Sequence, residues 1–204
     1  MKAKLLIILV TIMVISCNSG SSHKAPDAFS STSEKGLIIG TLTFDGDNPR
    51  NDIYRFFYYP ETSDKKILKH NKGKIEILCR VDGKRTFTGD FNDKKTYLFV
   101  IERDPGKYAF TEYNYLNHIG QMGVVNFSSK FAIPFEVKKG EINYVGELTF
   151  HSSPEPGSPR ITVSDNYSRD IQELKNKYQQ IDWGVSSNKT VKSGDTGNGL
   201  VEFK

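Results

Sequence analysis

The chain of 204 residues carries 28 Lys and Arg against 24 Asp and Glu, a formal charge of +4, and 12% of it is aromatic. That length buries an adequate core in one domain without disulfide staples, and the aromatic content excludes a largely disordered chain. Acidic and basic residues are interspersed with no basic block, so the sequence pI of about 8.9 does not point to nucleic acid as a partner.

The first element is an apolar run, Leu5 to Ile15, preceded by Lys2 and Lys4 and broken only at Thr11. This is the charged n-region and apolar h-region of a secretion signal, and it is too short to cross a hydrocarbon core that needs about 20 residues. Val14-Ile15-Ser16-Cys17 resembles the lipobox of bacterial lipoproteins. The resemblance implies a thioether-linked diacylglycerol on Cys17, cleavage of residues 1–16 and acylation, palmitate included, of the new amino terminus. An ordinary cleaved signal and an uncleaved anchor remain as alternatives. The expected address is therefore the bacterial cell envelope, bound to the membrane through lipid on Cys17. Asn18, in place of the Asp associated with inner-membrane retention, and the absence of an acidic cluster after it favour the periplasmic face of the outer membrane. Residues 17–35, rich in Ser, Gly and Pro, read as a flexible tether.

From Gly36 the pattern becomes β-rich. Strands are predicted over Gly36–Phe44, Ile53–Tyr59, Lys74–Arg80, Arg85–Phe87, Thr96–Arg103 and Lys107–Tyr115. They are punctuated by turn formers at 45–49, by Asp82-Gly83 and by Asp104-Pro105-Gly106. Alternation then places Phe131, Ile133, Phe135 and Val137 on one face, with Ile142, Tyr144, Leu148 and Phe150 sharing a face after the Lys139-Gly140 turn. Lys138, Glu141 and Glu147 are left for water. Pro134, unable to donate to a ladder, predicts an edge or a bulge. A short strand at Ile161–Val163 precedes one helix, with Ser168 as N-cap and Ile171, Leu174, Tyr178 and Ile181 on one stripe. The expected fold is mainly β: an antiparallel β-sandwich of about 7–8 strands over residues 36–183 with one C-terminal helix, followed by a disordered tail over 184–204.

Four segments carry a further resemblance: GLIIGTLTFDG (36–46), DPGKYAF (104–110), FAIPFEVKKGEINYVGEL (131–148) and ITVSDNYSRDIQELKNKY (161–178). Together they resemble a group of uncharacterised bacterial lipoproteins. The Pro-Gly-Lys-Tyr turn is similar to that of transthyretin-like and carboxypeptidase-regulatory-like β-sandwiches. The resemblance implies a fold and an anchor, and brings no catalytic residues.

Residues able to do chemistry are scattered. If Cys17 is lipidated, Cys79 has no partner and reads as a small buried apolar group. His23, His70, His118 and His151 show no zinc spacing, and neither a nucleophile elbow nor a phosphate-binding loop occurs. Asp45-Gly46-Asp47-Asn48, with Asp52 nearby, offers oxygens to calcium but lacks the spacing of a calcium loop. Neither a catalytic set nor a cofactor is expected. Of the aromatic runs, Tyr54, Phe56 and Tyr58 share one strand face and Phe57 and Tyr59 the other, so a helix, a loop or a ligand must cover the second set. Tyr113, Tyr115, Asn117 and His118 form an aromatic and amide cluster of the kind that stacks on sugars. The expected function is a non-enzymatic envelope lipoprotein with a protein or glycan partner. A carbohydrate- or peptide-binding module and, behind it, a hydrolase assembled only in the fold are the alternatives.

Overall fold

The computed structural model describes residues 25–204, so Cys17 and the signal segment lie outside the described residues. In chain order the strands are β1 (Gly36–Phe44), β2 (Ile53–Pro60), β3 (Gly73–Leu78), β4 (Arg80–Val81), β5 (Lys84–Arg85), β6 (Thr96–Arg103) and β7 (Gly106–Ile119). There follow β8 (Met122–Phe127), β9 (Ile133–Val137), β10 (Ile142–Phe150), β11 (Ile161–Ser164), β12 (Ser186–Asn188) and β13 (Val201–Phe203). Two helices complete the set, α1 (Lys65–Asn71) and α2 (Tyr167–Lys177). With 47% strand and 12% helix among the described residues the protein is mainly β.

All nine residues of β1 are buried, as suits a central strand covered on both faces. It pairs antiparallel with β6 and parallel with β10, and β11, β12 and β13 extend the sheet beyond β10. This sheet is mixed, which corrects the purely antiparallel expectation. The second sheet, β3-β2-β7 with β8 and β9 on the far side of β7, is antiparallel throughout. Pro134 sits in β9, which pairs only with β7, an edge position as expected.

The two sheets share one aromatic core. Phe44 of β1 lies 4.8 Å from Tyr54 of β2, and Phe150 of β10 lies 5.1 Å from Tyr113 of β7 in an edge-on contact. On β2 the expected alternation holds: Tyr54, Phe56 and Tyr58 are fully buried and Phe57 and Tyr59 only partly.

The opposite face of the mixed sheet carries a smaller core, where Leu37, Ile39, Leu98, Val100, Ile142 and Tyr144 meet Ile171 and Leu174 of α2. The face shared by Ile142, Tyr144, Leu148 and Phe150 in the sequence reading does not exist. Between Ile39 and Thr41 the β1–β10 register slips by one residue at Gly146, whose φ of 120° suits glycine. Ile142 and Tyr144 therefore face α2, while Val145, Leu148 and Phe150 face the main core. The same slip takes Glu147 out of water. It is 6% exposed and accepts from Thr43 (2.5 Å), Arg169 (2.9 Å) and Asn166. Beside it the buried Asp170 accepts from Thr41 (2.7 Å), Tyr144 (2.6 Å) and Arg169 (2.7 Å).

Both ends of the described chain are packed. Phe29, placed in the tether by sequence, is buried against Ile181 and accepts from the Asp182 amide at 3.0 Å. Residues 184–204, read as a disordered tail, contribute β12, β13 and the buried Val191 and Val201. The helix α1, which sequence reading missed, is capped by Asp64, whose carboxylate accepts from the Lys66 and Ile67 amides at 2.7 and 3.2 Å.

Candidate interaction surface

β7 is 14 residues long, and beyond Tyr113 its free edge is taken by β8 alone. Gly120, at φ 62°, makes the tight two-residue connection between them. Every residue of β8 is exposed. Among the described residues, the large apolar side chains left exposed are Ile67 on α1, Leu78 and Val81, and five on this hairpin: Ile119, Met122, Val124, Val125 and Phe127. Met122 and Phe127 are 72% and 68% exposed.

Strand register aligns part of this set across the whole sheet. Val125 pairs with Leu116, Leu116 with Ile53, and Ile53 with Leu78. Paired residues project to the same face, so these four make an unbroken apolar row on the side turned away from the core. The next row on that face is Phe127, Asn114, Arg55 and Glu76. In it the Asn114 side-chain oxygen is buried without a hydrogen-bond partner. Neither helix lies over this end of the face: α2 packs on the other sheet, and α1 sits next to the Pro60 end of β2.

A buried carboxylate fixes the base of the hairpin. Asp52, 1% exposed, accepts from the His118 backbone amide (2.7 Å), from Arg85 Nε (2.8 Å), from His118 Nδ1 (3.0 Å) and from Arg80 Nη1 (3.3 Å). Burial alone would raise its pKa, but the hydrogen bonds from Arg85 and His118 outweigh that and hold the carboxyl well below the usual carboxylate range. One side chain thus ties together β2, the β4–β5 hairpin and the far end of β7.

Of the four residues singled out as a sugar-stacking cluster, the structure separates two from two. Tyr113 is 5% exposed, its ring packed among Phe56, Phe131 and Phe150. Tyr115 packs against the same core, 6.4 Å from Tyr54. Alternation along β7 turns both inward, so they form no open stacking platform. Asn117 and His118 stand at the rim, where Asn117 accepts from Arg85 at 3.4 Å and His118 meets Asp52.

The other candidate chemistry is also spoken for. Burial pushes the Cys79 thiol up to about 12, which keeps it from acting as a nucleophile near neutrality. Asp45 meets His151 (2.9 Å) and the Ser152 amide (3.0 Å), Asp47 pairs with Lys95 (3.1 Å), and Asp52 faces the arginines. The carboxylates suggested for calcium therefore do not converge. Among the described residues no group of three or more His, Cys, Asp or Glu is placed to hold a metal ion, and no helix is long and apolar enough to cross a membrane. β8 itself was missed in the sequence. Its signals were an uncharged run from Gly120 to Ser129 with Val124-Val125 at its centre. Searches against family models, curated proteins and solved structures found no match.

Proposed function

We propose that this protein is a lipid-anchored bacterial envelope protein whose β domain is a non-enzymatic docking module, using the β7–β8 hairpin and the apolar row as its contact surface. The observation that carries this reading is the gathering of exposed large apolar side chains at one end of one sheet. Apolar side chains scattered singly over a surface need no explanation, but a contiguous set on an uncovered face marks a place where another molecule binds. The domain is a two-layer sandwich in this proposal, on the strength of the ring contacts between the two sheets.

The geometry suits a membrane tether. Lys139 meets Glu34 at 2.7 Å, so the segment leading out of β1 toward the amino terminus passes the Lys139-Gly140 turn, at the Gly106 end of β7. The hairpin tip lies at the other end, about 43 Å away at ~3.3 Å per strand residue. Upstream of Glu34 the chain runs on to Ala25, buried in the core beneath α2, so lipid on Cys17 would tether the domain from the side of the mixed sheet and leave the β7–β8 tip, on the other sheet, free for contact.

Two measurements test the proposal. Cys17→Ser in the full chain should move the protein from the membrane fraction to the soluble one; continued sedimentation with membranes would remove the anchor. A photo-crosslinking side chain at Leu78 or Phe127 should capture an envelope protein, while one at Lys66 on α1 should not. Equal capture at all three, or none, would remove the contact surface.

A further inference from the structure

We propose that the partner of β8 is β8 of a second copy of this chain, paired antiparallel about a two-fold axis through Val125. The inference rests on the contact surface proposed above and names its occupant. Ser128 donates its backbone N–H to Tyr113, and register alternation then turns the backbone groups of Asn126, Val124 and Met122 toward β7. Those of Gly123, Val125 and Phe127 point away, along an edge that no other described segment pairs with. Such an edge is normally protected by lysine, proline, an inward charge or a bulge. None of these occurs from Gly120 to Ser129, and the next cation along the chain, Lys130, is paired with Glu112 at 2.6 Å.

The absence of charge selects the occupant. A partner recognised through ionic groups finds nothing to pair with here, whereas a second β8 meets no like charge. The strand is also complementary to itself. With Val125 opposite Val125, Gly123 lies opposite Phe127 on both sides of the axis, and the other copy's ring would pack over each glycine against the Leu116 side chain, which stands 3.6 Å from where a Cβ would be. This register uses all three outward-facing residues of each strand, for about six backbone hydrogen bonds. Centring on Val124 instead would leave Phe127 opposite Gln121, beyond the strand. A two-fold axis perpendicular to the sheet keeps each face on its own side. The apolar row of Leu78, Ile53, Leu116 and Val125 would therefore run on without a break into its symmetry mate.

Disulfide trapping in membranes of cells making the full chain tests this. Val125→Cys places two thiols on the axis at about 5.5 Å between α-carbons, within disulfide reach, and should give a crosslinked species of twice the chain mass. Val124→Cys faces Asn126 and should give about tenfold less, whereas Val124→Cys with Asn126→Cys should restore the crosslink. Adding Val125→Lys to that double variant should abolish it, because two ammonium groups then meet on the axis. The unsubstituted chain is the control for Cys17, and Cys79 is buried. Equal crosslinking of Val125→Cys and Val124→Cys would overturn the register. Capture of a different protein at Val125→Cys, or of nothing, would overturn the second copy, while the docking surface stands or falls by the photo-crosslinking at Leu78 and Phe127.

Discussion

Asp52 is the side chain on which the exposed end of the molecule depends. Its carboxylate is out of water and answered by two guanidiniums, a histidine ring and a backbone amide. Removing its charge costs the charge-assisted hydrogen bonds it accepts, about 2 kcal/mol, while the Arg80 and Arg85 guanidiniums, 44% and 41% exposed, turn to water. Asp52→Asn should therefore lower unfolding stability by that order at pH 7, measured by urea titration. The same argument gives a pH dependence. The native carboxyl has a lower pKa than the unfolded one, so it stabilises the fold above about pH 4 and that stabilisation fades as pH falls toward the native value. The wild-type loss between about pH 4 and pH 2 should be visibly smaller in Asp52→Asn. An unchanged acid limb would show that other carboxylates govern it. Sequence placed Asp52 only as a neighbour of a calcium-like loop, because its true partners lie 28, 33 and 66 residues further on.

At the scale of elements, α2 is held to its sheet by two different means. Ile171 and Leu174 supply the apolar stripe that periodicity foretold, and Arg169 supplies the cation for both Glu147 and Asp170. Arg169→Ala would strand two carboxylates in a site with almost no water. The expected cost is about 3 kcal/mol, with amide protons of α2 exchanging faster than those of β1 and β6. The Gly40–Gly146 crossing makes a second test. A Cβ at Gly40 would lie 2.5 Å from the Gly146 carbonyl oxygen and 2.6 Å from the Phe99 ring. Gly40→Ala should destabilise by about 1–3 kcal/mol, as overpacking does. Most strands and the Ile171–Leu174 part of the α2 stripe were legible because alternation and helical spacing are local properties of the chain. Some bounds differ: α2 starts after Asn166 rather than Ser168 and ends before Tyr178 and Ile181, β7 runs on to Ile119, and the strand expected at Arg85–Phe87 is Lys84–Arg85. The parallel pairing of β1 with β10 and the slip at Gly146 were not legible, since each arises from a strand about a hundred residues away. That slip reversed the faces assigned within β10 and buried a glutamate expected in water. α1 and β8 escaped notice for another reason: neither buries a periodic apolar face.

For the molecule as a whole, the carboxy-terminal end is part of the packed body. Val201 is 2% exposed, β13 pairs parallel with β11, and the Lys204 amide donates to the Val163 carbonyl at 2.9 Å. The polar stretch from residue 184 led to the opposite expectation, since composition registers how little a segment can bury, while a single valine in the right register suffices to seat a three-residue strand. The two pictures differ in a measurable way. If residues 199–204 were a loose tail, deleting them would leave the thermal midpoint where it is. If β13 closes the edge of the mixed sheet, deletion removes a buried valine, worth about 2 kcal/mol, and uncovers β11. A domain of this size shifts by about 2–4 °C per kcal/mol, so the truncated chain should unfold about 4–8 °C lower. Exposed β11 would also offer the Ile161–Ser164 edge to solvent, and amide exchange should accelerate there while β2 and β7 keep their protection. A midpoint within one degree of the full chain, with β11 still protected, would return residues 199–204 to the role of a tail.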